Sequence, residues 1–181
     1  MRNWLSQRNK EINHILANDP AMHSGWEVVL CSAGFQALVG HRLAHYFWQQ
    51  RLPLVARLTA HWVRFLTGVE IHPAAIIGDY CMIDHGMGVV IGETAVLGDY
   101  VTLFHGVTLG GTGTEKGIKR HPTVGNHVVI GTGATVLGNI VLGEGCKIGA
   151  GAVVLKSVAP HTTAVGVPAS ILGTTTIFTD S

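Results

Sequence analysis

An aliphatic residue returns at every sixth position through most of the stretch from Ile71 to Val154, and few folds accept such a period. The runs are Ile71, Ile77, Ile83; then Ile91, Leu97, Leu103, Leu109; then Val124, Ile130, Val136, Leu142, Ile148, Val154. A second, mostly smaller residue follows four positions after most of these, as at Ala75, Cys81, Ala95, Val101, Val107, Val128, Ala134, Ile140, Cys146 and Ala152. Six matches neither the 3.6-residue helical period nor the alternation of a half-buried strand. It matches a β-solenoid in which each hexapeptide is one short strand and a corner, and three hexapeptides close a triangular coil around the aliphatics. Backbone groups then pair with the coils above and below at about 4.8 Å. Only neighbouring coils bury a unit, so the run must be long. These lead positions amount to roughly four coils.

The rest of the composition narrows the function classes. A chain of 181 residues fits one domain with a small appendage. With 47% hydrophobic and 13% charged residues and a net charge of +1, neither disorder nor a polyanion-binding surface is indicated. Arginines are scattered, so no nucleic-acid partner is expected. No long apolar run is free of polar breaks and no cleavable leader is evident, so the expectation is a cytoplasmic protein without a membrane partner. Cys31, Cys81 and Cys146 form no CxxC, which argues against a disulfide framework, and the last two hold interior repeat positions.

Ahead of the repeat, residues 2–18 read as an amphipathic helix carrying Trp4, Leu5, Ile12, Ile15 and Leu16, stopped by Asp19-Pro20. Ser24 with Glu27 reads as a capping box, followed by helical spacing from Trp26 to about Gln50. Pro53 suits the start of a further helix over Leu54–Leu66, and Gly68 its end. The domain plan is therefore a helical segment over 1–68, a solenoid over 69–172 and a polar tail over 173–181. The apolar helix positions are read as core or helix contacts rather than substrate contacts.

Two breaks interrupt the period. Two extra residues separate the Ile83 and Ile91 units within Asp84-His85-Gly86-Met87-Gly88, and a long insertion, Gly110 to Pro122, carries Arg120-His121. A regular solenoid has no reason to insert residues, and loops on a rigid scaffold favour chemistry. The breaks supply two imidazoles for proton handling, a guanidinium for an anion and a carboxylate for a cation. GxxxxGK[ST] is absent, so the Gly-rich insertion is not a phosphate loop. His85, His105, His121 and His127 could face a zinc ion between subunits, but their spacing does not separate a tetrahedral site from ordinary surface imidazoles, and no metal is expected.

Five segments in order, Ile71-His72-Pro73-Ala74-Ala75, Asp84-His85-Gly86-Met87-Gly88, Val107 to Gly113, Arg120-His121-Pro122 and Val165-Gly166-Val167-Pro168-Ala169, resemble the motifs of bacterial serine O-acetyltransferases. Val90-Ile91-Gly92-Glu93-Thr94, Asp19-Pro20-Ala21 and the stretches Gly34–Leu38 and His41–His45 resemble that family as well, so the likeness runs from about residue 15 to 172. It implies a left-handed parallel β-helix, a handedness that periodicity does not give. It also implies direct acetyl transfer from acetyl-CoA to the hydroxyl of L-serine.

On that likeness His85 is the general base, Glu70 the carboxylate supporting it, and His121 an aid to binding or charge stabilisation. Arg120 holds the serine carboxylate, Asp19 and Asp84 face its ammonium, and amides near Gly110 and Gly111 stabilise oxyanion charge. Gly111, Thr132, Gly133, Gly151 and Ala152 are the expected contacts of the CoA arm, with Lys147 a phosphate partner, although corner geometry alone also explains these repeat residues. Several departures stand out: Glu70 has a longer side chain than the usual carboxylate, Thr132 replaces a common alanine, Ser170 a common basic residue, and one residue is added before Arg120-His121. The helices that join two trimers in longer relatives are largely missing, so a homotrimer with sites between subunits is expected. Cysteine is an expected feedback inhibitor. The tail lacks the terminal isoleucine that relatives insert into cysteine synthase, which argues against a tight complex with it. The alternatives are an O-acetyltransferase for another hydroxylated amino acid or a sugar, and a non-catalytic trimeric scaffold.

Overall fold

The computed structural model describes residues 4–174. The expected helical residues 2 and 3, the side chains of Trp4 and Leu5, and the tail from 175 onward lie outside the described part. Four helices come first: α1 (Trp4–Asn18), α2 (Gly25–Cys31), α3 (Ala33–Gln49) and α4 (Pro53–Thr67). Ser24 caps α2, with its Oγ accepting the Glu27 N–H at 3.3 Å, while Glu27 returns a carboxylate to the His23 N–H at 2.8 Å. Pro53 opens α4 and Gly68 ends it at φ 72°, a left-handed conformation that needs no Cβ.

Helical spacing was expected from Trp26 to about Gln50, with Gly34 and Gly40 as weak points for an unbroken helix, and the structure divides it at Ser32. Ser32 leaves the helical region and caps α3, its Oγ accepting the Phe35 N–H at 3.2 Å. The break seats α3 against the solenoid at Gly34, where an added Cβ would lie 1.9 Å from the Ile83 carbonyl oxygen. A helix running straight through from α2 would lose this approach.

The solenoid then runs β1 (Glu70–Ile71), β2 (Ile76–Ile77), β3 (Met82–Asp84); β4 (Val90–Ile91), β5 (Val96–Leu97), β6 (Thr102–Phe104); β7 (Thr108–Gly110), β8 (Thr123–Val124), β9 (Val129–Ile130); β10 (Thr135–Leu137), β11 (Val141–Leu142), β12 (Lys147–Ile148); and β13 (Val153–Val154), β14 (Thr162–Val165), β15 (Ser170–Thr174). Every third strand shares a face. Face one stacks β1, β4, β7, β10 and β13; face two stacks β2, β5, β8 and β11; face three stacks β3, β6, β9, β12 and β14, closed by β15. Within the solenoid all ladders are parallel, and only β15 turns back antiparallel on β14. The architecture is a left-handed β-helix.

Stacking puts each lead aliphatic directly over the last, Ile71 with Ile91 and Leu103 with Ile130. The interior is dry: Leu97, Leu103, Leu109, Ile130 and Leu142 are each no more than 2% exposed. Burying such a side chain contributes about 1.5–3 kcal/mol, and the column repeats that gain at every rung. Cys81 and Cys146 fill interior positions, and burial pushes their thiols up to about 12 and about 11. Neither is a thiolate near neutral pH. The coils also continue past Val154, where the period fails: Val158 bridges Leu142, and Ala164 of β14 stacks on Ile148. Roughly four coils were expected, and the fold completes about five. Among the described residues no helix is long and apolar enough to cross a membrane.

Candidate active site

The first break lies at the corner joining face three to face one. Its extra residues close on themselves, with the Gly86 N–H donating to the Asp84 carbonyl at 2.7 Å and the Val89 N–H to the Gly86 carbonyl at 3.1 Å. Gly88 donates to the Gly68 carbonyl at 3.0 Å, tying the bulge to the end of α4. His85 is thereby pushed out of the coil, its side chain 76% exposed. Its Nε2 stands 4.0 Å from Asp84 Oδ1, an electrostatic contact longer than a hydrogen bond. The register that pairs Asp84 with Phe104 sets His105 in the coil above, and the two imidazoles meet edge to face at 5.7 Å. An imidazole this accessible can receive a proton from a bound group.

A shelf of small residues continues above His105. The Gly133 N–H donates to the His105 carbonyl at 2.9 Å, and the Gly151 N–H to the Thr132 carbonyl at 2.8 Å. A Cβ built on Gly133 or Gly151 would meet nothing within 4 Å, so open backbone runs along this corner. Lys147 is exposed on face three, one strand before the same corner. Ala152 does not belong with these residues. It is fully buried, its N–H donates to the Gly149 carbonyl, and its own carbonyl accepts from Thr135. Its place in the interior column puts its methyl in the core rather than on the shelf.

The second group of residues forms at the next corner, between faces one and two. The long insertion leaves after β7, stays exposed from 111 to 118, and returns through Lys119, Arg120 and His121. Thr94, at the same corner one coil below, holds the returning chain. Its Oγ1 accepts from the Arg120 N–H at 3.0 Å and the His121 N–H at 3.1 Å, and lies 2.9 Å from His121 Nδ1. Its own N–H donates to His121 Nδ1 at 3.2 Å. A backbone N–H cannot accept, so Nδ1 is the acceptor and the neutral ring carries its proton on Nε2. His121 is 7% exposed, and burial first, then the Arg120 charge, holds its pKa below the usual imidazole range, partly offset by Glu93. Nε2 faces Gly111, where an added Cβ would come within 3.0 Å. The ring is thus a fixed N–H donor rather than a base.

Arg120 is also oriented. Its Nη2 pairs with Glu93 Oε2 at 2.7 Å and its Nη1 donates to the Glu115 carbonyl at 3.1 Å. Arg120, His121, Glu93 and Gly92 line an open cleft of about 520 Å³ together with His72, Arg57, Glu70 and the indole of Trp48. Glu93, Thr94 and His72 lie in segments that carry the family likeness but were given no role in the site from the sequence. Glu93 and Thr94 follow the lead Ile91 as corner residues, and only their pairing with Arg120 and His121 across the insertion reveals them.

Among the described residues, two expected members make no contact with the His85 corner, although one of them, Glu70, borders the Arg120 cleft. Glu70 forms an ion pair with Arg64 of α4 at 3.2 Å, both side chains being about half exposed, and no contact among the described residues joins it to His85. Asp19 lies in the turn between α1 and α2, where its Oδ1 accepts the Ala21 N–H at 2.9 Å, and no described contact joins it to Asp84. A larger cavity of about 720 Å³ lies between α1, α3 and β2. Its walls are mainly aliphatic, both of its guanidiniums, Arg8 and Arg42, pair with Glu11, and burial lowers its His41 to about 3. Burial keeps that imidazole neutral, and the two corners remain the candidate site. Among the described residues no group of three or more potential ligands is arranged for a metal ion.

Comparison with known proteins agrees with this geometry. A bacterial transferase hexapeptide (six repeats) profile matches residues 121–156. The serine acetyltransferase of Synechococcus elongatus is 57% identical over 158 residues, covering 87% of this chain and 64% of that protein. That of Bacillus pumilus is 55% identical over 169 residues, covering 93% and 77% respectively. The chain therefore spans just under two thirds of the first relative's length. Among solved structures, Brucella abortus serine acetyltransferase in complex with coenzyme A superposes with a TM-score of 0.91 at 43% identity, covering 96% of this chain and 69% of that one. Soybean serine acetyltransferase complexed with serine gives 0.88 at 47%, covering 92% and 68%.

Proposed function

The chain belongs to the serine acetyltransferase family, and from that premise we propose that it transfers the acetyl group of acetyl-CoA to the hydroxyl of L-serine, giving O-acetyl-L-serine and CoA. One observation carries the reading. A proton acceptor and an oriented anion clamp sit at the two ends of one solenoid face, His85 at one corner and Arg120 with His121 at the other. A hexapeptide of extended chain separates these corners, roughly 20 Å, which is too far for one small substrate to touch both. A cyclic homotrimer closes the gap when the His85 corner of one subunit meets the Arg120 corner of the next.

In that site Arg120 receives the serine carboxylate with Glu93 bracing its far edge, and Asp84 and Asp19 face the ammonium. His85 removes the hydroxyl proton as serine Oγ attacks the thioester carbon. The carbonyl oxygen becomes an oxyanion, met by the Nε2–H of His121 and by backbone N–H groups near Gly110 and Gly111. Collapse breaks the C–S bond, and the His85 imidazolium returns its proton to the departing CoA thiolate. No covalent acyl-enzyme is needed. The CoA arm lies along the shelf at Thr132, Gly133 and Gly151, with Lys147 toward its phosphates. Glu70 supports His85 by charge, in competition with Arg64.

The test is the initial rate of CoA release from acetyl-CoA with L-serine, L-homoserine, L-threonine and small sugars. A strong preference for L-serine is expected. Preference for another acceptor reassigns Asp19, Asp84 and Arg120, and no release with any acceptor removes the reading.

A further inference from the structure

We propose that Lys119 is a positioning residue for the amino-acid acceptor, and that its ammonium locks the returning insertion onto the corner so that Arg120 and His121 face the cleft. This rests on the acetyl-transfer reading given above. Lys119 Nζ donates to three carbonyls, Thr94 at 2.5 Å, His121 at 2.6 Å and Pro122 at 3.1 Å. An ammonium has three donors and no acceptor, so its capacity is filled. Those carbonyls lie on both sides of the break: Thr94 belongs to the coil below, and His121 and Pro122 to the point where the chain re-enters the solenoid.

Elsewhere strand ladders hold one coil to the next. The solvent-exposed 111–118 segment forms no strand, so the corner needs another tie. Lys119 supplies it through the residue that already organises the site. It fixes the Thr94 carbonyl, while the Thr94 N–H and hydroxyl fix the His121 ring and the Arg120 backbone. Partial burial disfavours the lysine charge and lowers its pKa, and the convergent carbonyl dipoles oppose that cost. Arginine is a poor replacement, because a planar fork cannot direct its donors at three convergent carbonyls. Methionine matches the length but offers no donor.

The experiment compares wild type with Lys119→Met and Lys119→Arg in steady-state kinetics, varying L-serine and acetyl-CoA separately. The expected result is a KM for L-serine raised about tenfold in both variants, with the KM for acetyl-CoA within about twofold of wild type. Unchanged KM values for both substrates, with only a fall in active fraction or melting temperature, would show a merely structural tie and overturn the proposal. If neither variant folds, Lys119→Gln is read by the same split. A second readout is the imidazole ¹⁵N spectrum, in which the His121 signal, identified by its loss in His121→Asn, leaves the Nε2–H pattern in Lys119→Met. Should wild type fail to acetylate L-serine, the functional reading falls, and this spectrum still decides: an unchanged His121 tautomer in Lys119→Met overturns the positioning role.

Discussion

Replacing Thr94 by valine removes one oxygen and keeps the shape, so its effect isolates the hydroxyl that joins the insertion to the solenoid. That oxygen accepts the N–H groups of Arg120 and His121 at 3.0 and 3.1 Å. Valine leaves both without an acceptor, at about 1–3 kcal/mol for each fully buried donor. These two are partly buried, so the low end applies and the expected loss is about 2 kcal/mol. For a chain of this length that corresponds to a fall in melting temperature of about 4–8 °C. His121 retains the Thr94 N–H on Nδ1 but loses its hydroxyl contact, so the ring loosens and the KM for L-serine rises. Urea unfolding at fixed protein concentration, run with L-serine kinetics, measures both effects, and Thr94→Ser restores both because it keeps the hydroxyl. If Thr94→Val unfolds within about 0.5 kcal/mol of wild type and binds L-serine normally, the hydroxyl is not the clamp and the reasoning fails.

The remaining predictions concern the base, the subunit boundary, pH and the helical seat. His85→Ala lowers kcat by about 10²–10⁴-fold without changing the far-ultraviolet circular dichroism, and a rate near wild type ends its assignment as base. Coexpressed His85→Ala and Arg120→Ala subunits, each inactive alone, recover about a quarter of the sites in randomly mixed trimers, because one pairing in four unites both native residues; no recovery means the sites are not shared. Burial lowers His41 from an ordinary 6.5 to about 3, and His14, His72 and His121 shift in the same direction. The unfolded chain therefore binds these protons more readily, so the stability these histidines contribute is full above about pH 6.5 and is lost as pH falls toward 3, which denaturation at a series of pH values checks and His41→Phe flattens. Gly34→Ala drives a methyl into the Ile83 carbonyl and costs about 3 kcal/mol or more, seen as lost soluble yield or a lowered denaturation midpoint.

What the sequence discloses about this fold follows from what a solenoid repeats. Nearly every lead aliphatic occupies the same environment as the one below it, so most of the run from Ile71 to Val154 announces its burial by spacing alone; Ile77, which borders the cavity under α3, stays partly buried. Val158 and Ala164 reach the same interior by an irregular path, and a search for period six misses the rung they build. Gly34 shows a similar limit from the helical side: in a string of residues it looks like a weak point in a long helix, whereas its missing side chain is what lets α3 touch β3. Arg8, Glu11 and Arg42 were invisible for another reason, since their pairing joins α1 to α3 across 31 residues and leaves no local pattern.

The site divides along the same line. His85 and His121 were legible because they stand where the period breaks, and a break in a self-stacking structure must be held open by something other than stacking. Their supports were not, because Thr94 acts through backbone groups 26 and 27 residues away. Its hydroxyl gives no signal in a Gly-Glu-Thr corner. The coil supplies the logic that joins them. Interior positions are fixed by neighbours above and below and have little freedom to change, while each corner exposes side chains whose only constraint is the register. A bulge of two residues at one corner frees an imidazole, and an insertion at the next carries a guanidinium and a second imidazole back to the surface. Since both lie on the rim of one face, stacking cannot bring them together within a chain. Side-by-side association can, which makes a neighbouring subunit, as in the proposed trimer, a requirement of the proposed chemistry rather than an addition to it.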